Sequence, residues 1–461
     1  MRKVADKCYL PTNKIILDLI KKHDGKFKIA YSISGMALDQ FELYAPEVLD
    51  SFRELADSGS VEFLAETYAH SLASLNNTEE FKRQVEKHHN RMIELFNQSP
   101  VVFRNTEMIY SDEIGAMVAD MGYKAMLTEG AKHVLGWKSP NYLYVNAMNP
   151  KLKVLLKNFK LSDDIAFRFS NRTWSEFPLT TEKYVSWLKA IDKNEETINL
   201  FMDYETFGEH QWAETGIFNF LKALPDTVFK NSKITFSTPS EVAEQLQPIA
   251  AVHVPNAISW ADEERDLTAW LGNELQQQAF TKLLELYEKI KKIDDPKLHK
   301  DFQYFQCSDH LYYMSTKYFS DGEVHSYFNP FNGPYDAFIN FMNILSDFEI
   351  RVNAALKGDI NEELRRLSKM VEDKNAVILK NETEIRNLKE SNKNVSSPKG
   401  TGVKKIVKKV KSGSIKKSVP AKKVPAVKKK NSGLNGIDIK KSTAKKKAVV
   451  KTKGVSSKII K

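Results

Sequence analysis

Short apolar runs alternate with amphipathic stretches from the start of the chain to about residue 240. Residues 9–23 set Ile15, Ile16, Leu19 and Ile20 on one stripe, which predicts a helix. Residues 27–33 read as a strand ending at Ser34-Gly35, and 37–58 as a helix. A strand over 61–64 runs into Ala65-Glu-Thr-Tyr-Ala-His-Ser71, and 78–97 form a long charged helix. Strands over 101–108 and 124–127 flank a helix over 112–121. Several short strands follow within 140–170, among them 152–156 and 165–169. A helix over 181–192 leads into a strand over 198–202, a helix over 214–223, and a last strand over 234–236. Strand-then-helix alternation implies parallel strands with covering helices, hence an α/β barrel or doubly wound sheet.

Strand signals stop near residue 241. Segments 262–293, 296–318 and 333–356 read as helices rich in Leu, Tyr and Phe. Beyond them Leu364, Val371, Ile378 and Ile385 recur every seven residues. Ile360, Leu367 and Leu388 occupy the partner positions, interrupted by Lys374 and Asn381. That pattern fits a short coiled coil, and so oligomerisation through 360–388, or equally a surface helix. After residue 396 the composition turns to Lys, Val, Ala, Ser, Gly and Pro with no core-forming period, the mark of a disordered segment.

Two apolar runs end in ionisable groups. Ile198-Asn-Leu-Phe-Met-Asp-Tyr-Glu-Thr-Phe-Gly-Glu-His-Gln-Trp212 gathers Asp203, Glu205, Glu209 and His210 around Gly208. Val101-Val-Phe-Arg-Asn-Thr-Glu-Met108 brings Arg104 and Glu107. Buried strands that finish in such groups are how α/β barrels present catalysis. Glu107 and Asp203 are therefore expected to form a carboxylate pair. Glu205, two residues on, shares a face with Asp203 if the strand persists, where a like charge raises a carboxyl pKa. Strand parity would send Arg104 and Glu107 to opposite faces.

Charge divides the chain. Of 69 basic and 59 acidic residues, 22 Lys and one acid, Asp438, lie in 399–461, so the remainder carries a net −11. The Lys-rich segment suits non-specific contact with nucleic acid or another polyanion through counterion release. It carries no aromatics for base stacking. The two cysteines, Cys8 and Cys307, make no disulfide framework, which fits a reducing, cytoplasmic compartment. No apolar run approaches the ~20 residues needed to span a bilayer. The 26 Phe, 17 Tyr and 6 Trp raise the expectation of sugar-stacking surfaces. Phosphate-binding glycine loops, a Gly-x-Ser-x-Gly elbow and paired-histidine or Cys-x-x-Cys metal spacings are all missing. Carboxylate-based hydrolysis leads; a metal-dependent deacetylase on a similar barrel is a rival that the ligand spacing disfavours.

Asp203-Tyr-Glu-Thr-Phe-Gly-Glu-His210 resembles the acid/base motif of glycoside hydrolase family 57, the α-amylase-like group, and Phe103-Arg-Asn-Thr-Glu107 resembles its nucleophile strand. Glu66–Ser71, Leu161–Ser170 and Ser308–Lys317 look like further blocks of that family, and the likeness runs from about residue 8 to about 356. It implies a seven-stranded (β/α) barrel over 1–245 and a helical domain over 246–357. The helix or coiled coil over 358–395 and the disordered tail over 396–461 follow from composition. It also implies a retaining reaction on α-1,4-linked glucans, by hydrolysis or glucanotransfer, without a metal or other cofactor. Glu107 would be the nucleophile and Asp203 the acid/base, with carboxyls about 5–5.5 Å apart.

Glu66, His70, Arg104, Asp164, Arg168, Glu205, His210, Trp260 and His310 are the expected substrate-binding residues. Most have a structural alternative. Asp164 and Arg168 can pair with one another, and Glu205 can bond a loop amide. Trp260 and Trp270 can be interface core. One departure stands out: the family opens with a strand ending in His-Gln-Pro, and nothing like it precedes residue 9. The expectation is an incomplete barrel lacking its first strand, with a truncated, non-catalytic glucan-binding or scaffold protein as the second reading.

Overall fold

The computed structural model describes residues 1–317 and 329–394, the side chains of 359–363 and 390–394 excepted. The fold is α/β. Strands β1 (Ile29–Tyr31) and β2 (Val61–Phe63) pair in parallel. β3 (Val102–Arg104), β4 (Ala125–Glu129), β5 (Tyr144–Asn146), β6 (Lys153–Lys157) and β7 (Ala250–Val252) form a sheet ordered β3-β4-β6-β5-β7. A parallel bridge from Ala65 to Phe103 joins β2 to β3. The pairs β3–β4 and β4–β6 are parallel, and β5 runs antiparallel to β6. β4 is buried at all five positions, as expected of a strand covered on both faces.

Several predicted elements take another form. The helix expected over 37–58 is two, Gly35–Tyr44 and Pro46–Asp57. Pro46 has no N–H and starts a new helix instead of continuing the old one. The strand expected over 165–169 is absent; Phe159–Ala166 is a helix, with Asn158 capping the Leu161 N–H at 3.1 Å. Residues 198–202 join no ladder. Asn199 ties them to the end of β6, its Nδ2 donating to the Leu156 carbonyl at 3.0 Å and its own carbonyl accepting from Asn158 N–H at 2.9 Å. Residues 234–236 are also outside any strand; Phe236 packs edge-on against Phe27 at 4.9 Å. β7 lies beyond the point where strand signals end, in a stretch too short and Pro-flanked to show a period.

From Thr268 onward the described residues form helices, chiefly Glu274–Ile290, Pro296–Phe305 and Pro334–Asn394. Leu286, Phe302 and Phe348 of these helices share one core with Phe103, Tyr110 and Met126 of the sheet region. The chain divides into a compact unit, Met1–Leu379, and a second, Lys380–Lys461. Of the second, only the end of the last helix is described. In the heptad segment Leu364, Leu367, Val371, Ile378, Ile385 and Leu388 are exposed. The basic tail lies outside the described residues. No described helix is long and apolar enough to cross a membrane.

Candidate active site

The site is built where β2 and β3 end side by side. Past β3 the chain makes a tight turn, Thr106–Met108, in which Glu107 (φ 55°) and Met108 (φ 56°) are left-handed. Neither is glycine, so the turn is strained and must be held by its surroundings. Asn105, fully buried, donates to Ser74 Oγ and the Ile109 carbonyl, both at 2.9 Å. Thr106 and Thr67 hydroxyls meet at 2.7 Å. These bonds tie the Glu107 turn to the Glu66–Ser71 loop, where His70 is also left-handed (φ 49°).

The consequence is a row of three side chains. His70 Nε2 lies 3.0 Å from Glu107 Oε1, and its Nδ1 lies 3.4 Å from Glu66 Oε1. Arg104 sits 3.6 Å from the other oxygen of Glu66, and Ser32 donates to it as well. Trp260 donates its indole N–H to Glu107 Oε2 at 2.9 Å. Burial opposes charge on His70, but the hydrogen bonds and charges of Glu107 and Glu66 outweigh it and raise its pKa to about 10. Burial alone would raise the two carboxyls; the His70 hydrogen bond and charge, with Arg104, reverse that. Glu66 falls to about 2 and Glu107 is held below the usual range. Because the strand ends at Arg104, parity no longer applies, and Arg104 acts on both acids.

Asp203 follows the 198–202 segment and stands just before a turn, Tyr204–Thr206, which its side chain does not cap. Its environment is the opposite. Crowding by protein atoms and the charges of Glu205 and Glu107 push its pKa up to about 6, against His210 and Arg104. Asp203 is exposed, so solvent damps the effect without changing its direction. The strand does not persist to Glu205, as the shared-face argument required. Glu205 instead accepts the Tyr9 hydroxyl. His210 donates its backbone N–H to the Glu205 carbonyl at 2.9 Å.

The remaining candidates divide. Trp260 belongs to the cluster, its ring under Arg104 at 4.9 Å and Lys157 at 5.2 Å. Asp164 is buried and bonded at 2.7 Å to Arg168, in the turn just past the end of its helix, so these two satisfy each other. His310 is a helical-region residue with its Nε2 on the Tyr304 carbonyl at 3.1 Å and its ring stacked on Phe341 at 4.8 Å. Trp270 is core. The helical region reaches the site at Cys307 and Ser308 instead: Ser308 N–H donates to the His70 carbonyl at 2.9 Å, and Ser71 bridges to Cys307.

Sequence reasoning missed the support behind Trp260. Lys157 bonds Asp163 at 3.1 Å and lies 3.7 Å from Glu129, and Arg265 reaches both acids at 3.5 and 3.9 Å. Lys157 and Glu129 sit at the ends of neighbouring strands, the one signal that could have exposed them. Among the described residues no group of three or more His, Cys, Asp or Glu is placed to hold a metal ion.

The model of glycosyl hydrolase family 57 matches residues 1–255. The chain belongs to that family. It is 46% identical over 378 residues to a Methanocaldococcus jannaschii protein named "Putative alpha-amylase", covering 79% of each chain. The fold is similar to the crystal structure of the 4-alpha-glucanotransferase from Thermococcus litoralis, with TM-score 0.54, 18% identity, and 67% of this chain and 52% of that one covered. It is also similar to a GH57-type branching enzyme from Pyrococcus horikoshii, with TM-score 0.56, 12% identity, and 76% and 89% covered. This family 57 chain is an enzyme, a glycoside hydrolase or glucanotransferase.

Proposed function

We propose that this family 57 enzyme cleaves α-1,4-linked glucans with retention, Glu107 acting as nucleophile and Asp203 as acid/base, within a (β/α) barrel. The observation that carries the reading is the opposed tuning of two carboxyls in one site: Glu107 is held anionic by its contacts with His70 and Trp260, while the charge of Glu107 helps hold Asp203 protonated further up the pH scale. In the first step Glu107 attacks the anomeric carbon while the Asp203 proton goes to the leaving oxygen. In the second, Asp203 takes a proton from water or an acceptor sugar, which displaces Glu107. His70, charged between Glu66 and Glu107, and the Trp260 N–H keep the nucleophile ionised and aimed. Arg104 spreads positive charge along the same wall.

The test is a 5-fluoro-α-glucosyl fluoride trap followed by peptide mass spectrometry. A glycosyl adduct on Glu107 is expected. Turnover of maltooligosaccharides that survives Glu107→Ala would overturn the assignment.

A further inference from the structure

The start of the chain packs against the loop that carries Asp203. Ala5–Tyr9 is a single looser π turn set between Arg2–Val4 and Leu10–Lys22, a device that re-aims side chains within a helix. Cys8 Sγ donates to the Tyr204 carbonyl at 3.4 Å, and Thr12 Oγ1 lies 3.1 Å from the Phe207 carbonyl. Tyr204 donates to Asn13 Oδ1 at 2.6 Å. Lys3 and Lys7 reach Glu209 at 3.0 and 3.8 Å. The Tyr9 ring is pinned between Phe41, edge-on at 5.1 Å, and Tyr204, stacked at 6.3 Å, and its hydroxyl donates to the Glu205 carboxylate.

We infer that this N-terminal segment is a positioning device for the acid/base carboxylate, with Tyr9 as the residue that fixes Glu205 beside Asp203. The inference rests on the reading of Asp203 given above. Asp203 is faced by Glu205 and His210 from its own loop, by Glu107 and Arg104 from the β3 side, and by the Tyr9 phenol from the N-terminal helix. Glu107 is fixed by His70 and Trp260. Glu205 is the acid whose place depends on Tyr9, so the proton affinity of Asp203 depends on Tyr9 at one remove.

The test uses the full chain with carbon-13-labelled aspartate, titrating the Asp203 carboxyl by NMR in wild type, Tyr9→Phe, Glu205→Gln and the double variant. Glu205→Gln is expected to lower the Asp203 pKa by roughly half a unit or more, the size of one charge removed a few ångströms away at high effective dielectric. Tyr9→Phe, which removes no charge but releases Glu205, is expected to lower it by a smaller amount in the same direction. The double variant should shift no further than Glu205→Gln alone, because Tyr9 acts only through Glu205. An unmoved Asp203 in Tyr9→Phe, or two shifts that add in full, would overturn the inference. The catalytic reading fails separately: maltooligosaccharide turnover that survives Asp203→Asn would sink it while leaving the titration result intact.

Discussion

His70 Nε2 stands 3.0 Å from the Glu107 carboxylate while its Nδ1 faces Glu66 at 3.4 Å, so one imidazolium bridges a half-buried acid and a fully buried one. Replacing it by Asn removes the charge that lets Glu107 stay ionised. We expect kcat/KM to fall by roughly 10²–10³-fold, as when one preorganised electrostatic partner is removed, with KM changed little. The stability consequence has a fixed sign. The folded-state pKa of His70, about 10, lies above its ordinary 6.5. Its contribution is therefore complete below about 6.5 and is lost as pH rises through about 10. Glu66, at about 2, lies below its ordinary 4.5. Its contribution is complete above about 4.5 and is lost as pH falls towards 2. The Tm gap between wild type and His70→Asn should be widest between those limits and close towards pH 10 in thermal scans.

The pH profile of turnover follows from the two carboxyls. Asp203 must carry its proton for the first step, and its pKa lies up at about 6. Activity limited by that step is expected to decline as pH rises through the raised Asp203 pKa, at or somewhat below about 6 because the side chain is exposed. Glu107 must be ionised, and it is held below the usual carboxylate range. The acid limb should therefore lie below 4.5. An initial-rate profile of kcat/KM on maltopentaose reads both limbs directly. A flat profile from pH 4 to 9 would separate the chemistry from these two groups.

Trp260 can be divided by substitution. Trp260→Phe keeps a ring for Arg104 and Lys157 to lie over but removes the N–H that reaches Glu107 Oε2. A hydrogen bond to a charged group contributes about 1.5–3 kcal/mol, so a loss of roughly ten- to a hundredfold in kcat/KM is expected, with the acid limb moving upward. The measurement is the same profile on the variant.

The parts of the fold that were legible in the sequence are those where burial leaves no choice. Val102 and Phe103 are fully buried, and a continuous apolar run before an ionisable cluster is the only form such a strand takes. The Glu107 segment is legible for that reason; the Asp203 segment shows the same apolar run in sequence but forms no strand and is only partly buried. The turn that aims Glu107 was not, because its left-handed residues are Glu and Met, where no glycine marks the conformation. The lysine and arginine behind Trp260 come from positions 157 and 265, over a hundred residues apart, and nothing local links them. His310 reads as a substrate-binding residue in sequence because a histidine in a helical-domain block has the same grammar in a core as in a sugar subsite. Its bond to the Tyr304 carbonyl was settled by helix packing. His310→Phe is accordingly expected to cost about 1 kcal/mol of stability and to leave kcat and the pH limbs where they are, checked by chemical unfolding alongside the rate profile.

Two glycines near the Asp203 loop allow conformation and contact to be told apart. Gly208 has φ +114°, and a Cβ there would meet the Lys7 carbonyl oxygen at 2.0 Å. Gly216 has φ +86° and open space around it. Alanine at either position carries the cost of a left-handed L-residue, about 1–2 kcal/mol. At 216 the cost ends there, so a lower Tm with unchanged kcat is expected. At 208 the loop must also move away from the N-terminal helix, carrying Asp203 and Glu205 with it. Gly208→Ala should therefore lose stability beyond Gly216→Ala and lose kcat by at least tenfold, since small displacements of a reacting group are costly. Equal Tm and equal kcat in the two variants would mean that the loop is not seated on that helix in solution.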